Sequence, residues 1–308
     1  MTSRVFIVIP AHNRRETTLA CLRRLRTQGV FAWASPIVVD DGSTDGTGEA
    51  VRAEFPEAEV LRGNGKLFWT GATELGMRRA VERGADHVFW LNDDCQPFPG
   101  ALAELLSTAQ AERAVTGGVC VLPRSGFPVY GGFRRTAAGL APVTCESGQR
   151  LACDALNGNL VCVPRTVIEV IGFPDGRGLP HASGDTDYTL RARARGHAVV
   201  LVGAARAHAI PQNRRGYASW LLSGMGVGEV WATLFDPRAY GYLPADFRFR
   251  WRHWGWLGLG LAFWAVARRV PVSAAILLVP LAARRRWWGR RSAAWRYEQM
   301  IRAESGHE

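Results

Sequence analysis

The sequence predicts an α/β domain: a mostly parallel sheet with flanking helices, followed by a C-terminal helical appendage. Three observations lead there. Short β-branched runs alternate with helical patterns through the first 205 or so positions, the signature of βαβ units. The polar clusters of that stretch fall just beyond the ends of the runs, where sheets of this class bind ligands. The composition then shifts, so that residues 245–308 carry 12 arginines against 4 acids and seven of the 12 tryptophans.

The elements follow in order. Residues 5–9 (VFIVI) read as a buried parallel strand, and 16–28 as a helix with Leu19, Leu22 and Leu25 on one face. Residues 36–40 (PIVVD) form a second strand and 47–55 a second helix. A short strand ends at Leu61, 71–83 is helical, 87–93 (HVFWLND) is a strand and 100–113 a helix. From 115 to 172 the pattern is more broken, with turn signals at 123–128 and at Gly131–Gly132 and a strand at 160–163. Residues 184–196 carry a helix start and stop, and 198–202 is the last strand. The expected domains are 1–210 and a basic, tryptophan-rich helical region at 211–308.

The bulk properties narrow the function classes. The chain has 308 residues, beyond the ~250–300 at which a single core usually stops growing. With 47% hydrophobic and 21% charged residues it is not a mainly disordered chain. A mean hydropathy of −0.06 argues against a polytopic membrane protein. The six cysteines form no CxxC pair, so neither a zinc knuckle nor a dense disulfide scaffold follows and reduced thiols are expected. The opening MTSRVFIVIPAHNRR lacks the pattern of a signal peptide, which places the chain in the cytoplasm unless another part reaches a membrane.

The net charge of +11 is concentrated in the tail. Basic and indole groups together suit a polyanion, either a nucleic acid or an anionic lipid surface. No recognised nucleic-acid motif accompanies the arginines, so the lipid surface is the preferred partner. The tail holds two charge-free stretches of 14 residues, 254–267 and 270–283, split by Arg268–Arg269. Each is shorter than the ~20 residues of a membrane span. Joining them would bury two arginines at roughly 2.5–3.5 kcal/mol each. They are therefore expected to lie at the interface, with packing on the main domain or a homodimer contact as the alternatives.

Three clusters carry candidate chemistry. DDGSTD (40–45) puts two carboxylates after a strand, then a turn and a helix cap at Ser43 or Asp45. Capping alone does not call for the second acid. NDD (92–94) puts adjacent acids beyond a buried strand, which suits Mg²⁺ or Mn²⁺ bound through one or two carboxylates plus substrate phosphates. An Asx turn before Pro97 is the equal alternative. GDTD (184–187) places Asp185 and Asp187 at a helix start, where either could cap and one could act as a general base.

VIPAHNR, VVDDGSTDGT, FWLNDDCQP and GDTDYTLRARARG, in that order and at these separations, resemble the family 2 inverting glycosyltransferases of the GT-A fold. GNGKLFWTGATELG (63–76) looks like the Gly-rich stretch of the rhamnosyltransferase-like branch. The resemblance covers about residues 4–210. It implies that Pro10, His12 and Asp41 line a nucleotide pocket, with Asp41 facing the base. Asp93 and Asp94 would be the metal-binding pair and contact the donor, with Asp94 the direct ligand. Asp185 would deprotonate the acceptor hydroxyl, and His208 would complete the metal site unless it is an ordinary surface histidine. Two positions depart from the pattern: Asn92 stands where an acid is usual, and Gly184 where a Glu is usual. Trp69 is either core filler or a platform for a sugar. His181 is an acceptor-site candidate. Arg214, Arg215 and Tyr217 could clamp a phosphate or form a solvated loop.

The expected activity is therefore inverting, Mg²⁺- or Mn²⁺-dependent transfer of a sugar from a nucleotide-sugar donor to a glycan or lipid-linked acceptor in cell-surface polysaccharide assembly. The site is expected in the cytoplasm, at the inner face of the membrane. A nucleotidyltransferase would carry a Gly-rich, basic signature where this chain has PAHNRR. A polysaccharide synthase would need several true membrane spans. A nucleic-acid-binding protein is the alternative drawn from the tail charge.

Overall fold

The computed structural model describes residues 3–211, 217–222, 224–239, 241–289 and 292–305. It divides into two compact units, Met1–Ala209 and Ile210–Glu308.

The first unit opens with the expected alternation. β1 (Val5–Ala11), α1 (Arg15–Thr27), β2 (Ala34–Asp40), α2 (Thr47–Glu54), β3 (Glu59–Arg62), α3 (Phe68–Glu82), β4 (His87–Leu91), β5 (Gln96–Pro97), α4 (Ala101–Glu112) and β6 (Val115–Val121) follow one another. The broken stretch resolves into short strands: β7 (Pro128–Tyr130), β8 (Gly132–Thr136), β9 (Gly139–Val143), β10 (Arg150–Ala152), β11 (Ala155–Leu156) and β12 (Leu160–Pro164). Then come α5 (Arg165–Ile171), α6 (Gly184–Ala194) and β13 (Val199–His208). The main sheet runs β10-β13-β6-β12-β4-β1-β2-β3, with β5 added to β13 and β7 to β6. Strands β8, β9 and β11 form a separate small sheet.

β1, β2, β3 and β4 pair in parallel, while β12 enters antiparallel between β4 and β6. The inner strands β1, β4 and β12 and most of β2 are apolar without alternation because both faces are covered, whereas the edge strand β3 is charged at both ends and only partly buried. Ile7 and Ile9 pack in one layer with Leu22, Leu25 and Leu105, and Phe6 and Val8 in the other with Met77, Trp90 and Tyr188. Aromatic edges knit the second layer, Trp69 against Trp90 and Trp90 against Tyr188, at centroid separations of 5.9 and 5.1 Å. All six cysteines are buried and none forms a disulfide.

The second unit contains α7 (Tyr217–Leu222), α8 (Val227–Ala232), α9 (Leu243–Ala267), α10 (Arg269–Leu278), α11 (Leu281–Arg284) and α12 (Ala293–Ser305). Here the sequence expectation needs correction. α9 ends at Ala267 and α10 begins at Arg269, so the arginine pair does divide the apolar stretches, but the two helices follow on directly as one run from Leu243 to Leu278, 36 residues with a window of mean hydropathy 1.6. That run is long and apolar enough to cross a membrane by length and composition. At the junction Arg269 turns into its own unit and bonds to Ala265 and Thr233. The run bends at Gly255, whose φ of 56° lies outside helical geometry. Trp256, Phe263, Trp264, Leu277, Leu278 and Trp287 are exposed on this unit.

Candidate active site

The site forms where β1, β2 and β4 end. The loop after β1 and the loop after β2 are zipped together by their own polar side chains. Asn13 accepts from the Thr44 amide at 2.7 Å and donates its own amide to Ser43 Oγ at 2.8 Å. Its φ of 52° is left-handed, a conformation that Asn tolerates better than most residues. The Arg15 amide donates to Asp45 Oδ2 at 3.0 Å. Asp45 also takes the amide of Thr47, the first residue of α2, at 3.0 Å, while Ser43 serves Asn13 and the N-cap position itself is Gly46. His12 Nδ1 donates to the Asp41 carbonyl at 2.7 Å, and since a carbonyl only accepts, the proton sits on Nδ1. Pro10 precedes it at the half-buried end of β1.

Asp41 is buried, and both its oxygens accept backbone amides: Gly65 at 2.8 Å and Phe68 at 2.9 Å. It thereby holds the 63–68 loop and caps α3, which starts before the expected Gly71. No local residue signals that start, because the carboxylate that takes its first amide lies in the loop after β2. Gly63 permits the approach, since a Cβ there would stand 2.5 Å from Asp41 Oδ1. Each carboxylate oxygen still has a second lone pair, so the geometry leaves acceptor capacity in this pocket.

At the end of β4, Asp93 is buried and accepts from Thr18 Oγ1 at 3.0 Å. Arg14 spans the pair, with Nε 3.2 Å from Asp93 Oδ1 and Nη2 3.0 Å from Asp94 Oδ2. Burial pushes the Asp93 carboxyl up to about 6, with Arg14 opposing and Asp94 adding to the shift. Asp94 is the more exposed of the two. Asn92 faces elsewhere. Its Oδ1 accepts from Trp69 Nε1 at 2.6 Å, and its Nδ2 donates to Asn159 Oδ1 at 2.5 Å. Asn159 in turn bonds to Asn157. The departure from an acid at position 92 thus has a physical account: the side chain must both accept and donate, which a carboxylate cannot do.

Across this chain of amides stands Asp185, in the first turn of α6. Its Oδ2 accepts the Gly158 amide and its Oδ1 the Thr186 amide, each at 2.7 Å. Burial pushes the Asp185 carboxyl up, and the amides of Gly158 and Thr186 oppose the shift. Asp187 has a different place: it is fully buried and takes Arg191 Nε at 2.9 Å. Arg191 also donates to the carbonyls of Ile171 and Phe173, so Asp187, through Arg191, anchors α6 to the end of α5 and the residues just beyond it. Gly184 is explained by contact, since a Cβ there would stand 2.1 Å from Thr70 Oγ1.

Gly158 lies between Trp69 and Asp185. A Cβ at this position would be 2.6 Å from the Trp69 ring and 2.8 Å from Asp185 Cβ. Gly158→Ala should therefore displace the indole, the carboxylate or both. Overpacking of this kind costs about 1–3 kcal/mol. A lowered melting temperature together with quenched or shifted Trp69 fluorescence, scored against a Trp69→Phe background, is the expected result. A wild-type melting curve would show that the contact is not tight.

The sequence-selected residues do not all converge. His208 stacks edge-on against Phe98 at 4.7 Å and pairs through its backbone with Gln96 and Val121. Among the described residues, no three His, Cys, Asp or Glu side chains form a metal-holding group. Asp93 and Asp94 are held together by Arg14, and His208 is not grouped with them. The donor chemistry still fits Mg²⁺ or Mn²⁺ at Asp94: a partly exposed carboxylate oxygen, with substrate phosphates to supply the remaining ligands. His181 is half-buried beside Pro180, whose carbonyl accepts from the Thr70 amide. Arg214, Arg215 and the Tyr217 side chain lie outside the described residues. Sequence reasoning passed over Arg14, Thr18, Asn157, Gly158 and Asn159. The NGN run at 157–159 before a strand was the one available signal.

Residues 6–145 match the family model described as Glycosyl transferase family 2. The chain is 34% identical over 117 residues to an undecaprenyl-phosphate mannosyltransferase of Micrococcus luteus, covering 37% of this chain and 47% of that protein. It is 32% identical over 190 residues to galactofuranosyltransferase GlfT1 of Mycobacterium tuberculosis, covering 58% of this chain and 60% of that protein. The chain thus spans about half the length of the curated relatives it matches. Among solved structures, the mannosyltransferase PcManGT of Pyrobaculum calidifontis, in complex with GDP-Man and Mn²⁺, aligns with a TM-score of 0.54 at 17% identity, over 99% of this chain and 85% of that one. GalNAc-T7 with UDP, GalNAc and Mn²⁺ aligns at 0.57 and 14% identity, over 86% and 58%. At these identities the likeness is one of fold, and it establishes the GT-A architecture for the chain. The relatives named here transfer mannosyl and galactofuranosyl groups, and none is a rhamnosyltransferase.

Proposed function

We propose that this chain is an inverting glycosyltransferase that moves a sugar from a nucleotide-sugar donor to a hydroxyl of a glycan or lipid-linked acceptor. The observation that carries the reading is a chain of contacts inside the family 2 fold. Asn92, two positions before Asp94 on the same loop, holds Trp69, Trp69 packs on Gly158, and the Gly158 amide holds Asp185. The strand end that carries the candidate leaving-group site is thereby tied through side-chain contacts to the candidate base, the kind of mutual positioning that displacement chemistry requires.

Pro10, His12 and Asp41 line the nucleotide side of this reading. Trp69 offers a partly exposed indole face to the sugar. Asp185 takes the proton of the acceptor hydroxyl as its oxygen attacks the anomeric carbon opposite the departing diphosphate, which inverts that carbon. Asp94, with Asp93 behind it, would hold Mg²⁺ or Mn²⁺, and the cation when bound supplies charge neutralisation to the diphosphate. Arg14 already places a guanidinium at the same two carboxylates and keeps them together.

The exposed indoles and leucines of the C-terminal unit, with 12 arginines in residues 245–308, support a place at the inner face of an anionic membrane. Such a place suits an acceptor carried on a lipid. The donor sugar and base are tested by a thermal-shift panel of dTDP-, GDP- and UDP-sugars in Mn²⁺, with dTDP-rhamnose included for the branch resemblance. A ligand that binds only the native state adds about 2.7 kcal/mol at 100 times its dissociation constant. One nucleotide-sugar class should raise the melting temperature, and EDTA should reduce the shift. No shift with any of them would remove the transferase reading.

A further inference from the structure

The C-terminal unit holds a cavity that the transferase reading does not use. It measures about 90 Å³, and Trp220, Asp246, Arg250, Arg268 and Arg269 line it together with apolar and glycine positions. That is room for several water-sized groups. Arg269 is 1% exposed. Its Nη1 donates to the Ala265 carbonyl at 2.6 Å and its Nη2 to Thr233 Oγ1 at 3.1 Å. Its Nε–H has no acceptor among the described residues, and neither does the Nε1–H of the buried Trp220. The two side chains are stacked, the guanidinium carbon 4.6 Å from the ring centroid.

The charges of the lining do not balance. Asp246 is the one acid among its described residues, and Arg250 Nε donates to both its oxygens at 2.8 and 2.9 Å. Arg250 thus takes the one carboxylate, and the buried Arg269 has no counter-charge of its own among the described lining residues. A buried guanidinium without a counter-charge is strongly unfavourable, and stacking on an indole offsets only part of that. The lining thus offers surplus positive charge and two buried donors in need of acceptors.

We propose that this cavity binds a phosphate monoester. Such a group brings about −1.5 to −2 charge and three acceptor oxygens, matching the charge surplus and the donor-only lining. Arginine forks and the indole N–H recognise it. The monoester could be borne by a lipid or by a soluble molecule. The exposed Phe263, Trp264, Leu277 and Leu278 on the same helical run favour the lipid. The inference stands on the C-terminal unit alone, so it can fail or hold independently of the transferase reading.

The test uses the full chain. Inorganic phosphate is titrated calorimetrically, and flotation compares neutral phosphatidylcholine vesicles doped with phosphatidic acid or, at matched charge, with the diester phosphatidylglycerol. The wild type should bind inorganic phosphate and prefer phosphatidic acid. Arg269→Gln should weaken phosphate binding ~10–100-fold, the loss of one hydrogen bond to a charged group. Asp246→Asn, which adds to the charge surplus, should tighten it. Trp220→Phe keeps the ring but loses the N–H, and it should weaken binding even if Arg269→Gln fails to fold. Binding of inorganic phosphate without a preference for phosphatidic acid would support a soluble monoester. Absence of phosphate binding, or one affinity across wild type, Asp246→Asn and Trp220→Phe, overturns the proposal and leaves the cavity to water.

Discussion

Asp185→Asn should slow sugar transfer by ~10²–10⁴-fold, the usual contribution of a general base, while donor binding stays near wild type. The substitution keeps size and shape but leaves one acceptor oxygen where there were two, so either the Gly158 or the Thr186 amide loses its partner. That costs about 1 kcal/mol, too little to unfold a domain of this size. Burial raises the Asp185 carboxyl. The base must be ionised to accept a proton, so the wild-type rate should fall on acidification at a pH above the ordinary aspartate value of about 3.9. The variant should lose that acidic limb. Asp187→Asn supplies the contrast: Asp187 is buried against Arg191, and its loss should lower the melting temperature before it alters the pH profile. An unchanged rate in Asp185→Asn would sink the assignment of the base.

Asp94→Ala should reduce transfer by ~10³-fold or more. Charge neutralisation at a leaving diphosphate supplies several kcal/mol, at 1.36 kcal/mol for each factor of ten. The fold should survive, because Arg14 keeps Asp93 and the Thr18 hydroxyl still serves the buried carboxylate. Mn²⁺ should raise the melting temperature of wild type in the presence of a nucleoside diphosphate but not that of Asp94→Ala. Arg14→Gln is informative beside it. Removing the guanidinium frees both carboxylates, so Mn²⁺ should stabilise this variant more than wild type. Equal Mn²⁺ shifts in all three proteins would count against a cation at Asp94.

The strand and helix alternation was legible in the chain because it rests on local periodicity. β1, β2, β4 and β13 lie where apolar runs predict them, since a strand covered on both faces must be apolar throughout. The polar clusters at their ends were equally plain. What each polar residue does was not. Asp41 caps α3 from 27 positions away, and no pattern within a helical window can signal a cap supplied by a distant loop. Asp185 and Asp187 are equivalent by helix position, and they part company only because Gly158 meets one and Arg191 the other. Asn92 reads as a weakened ligand until Trp69 and Asn159 are seen to need its two functions. In the tail, composition identified a basic, indole-rich segment, whereas packing decided that Arg269, at the start of α10, would be buried. Periodicity is set by neighbours in sequence and can be read from them. The partner of a buried polar group is whichever one the folded chain brings within about 3 Å, and only the tertiary structure decides that.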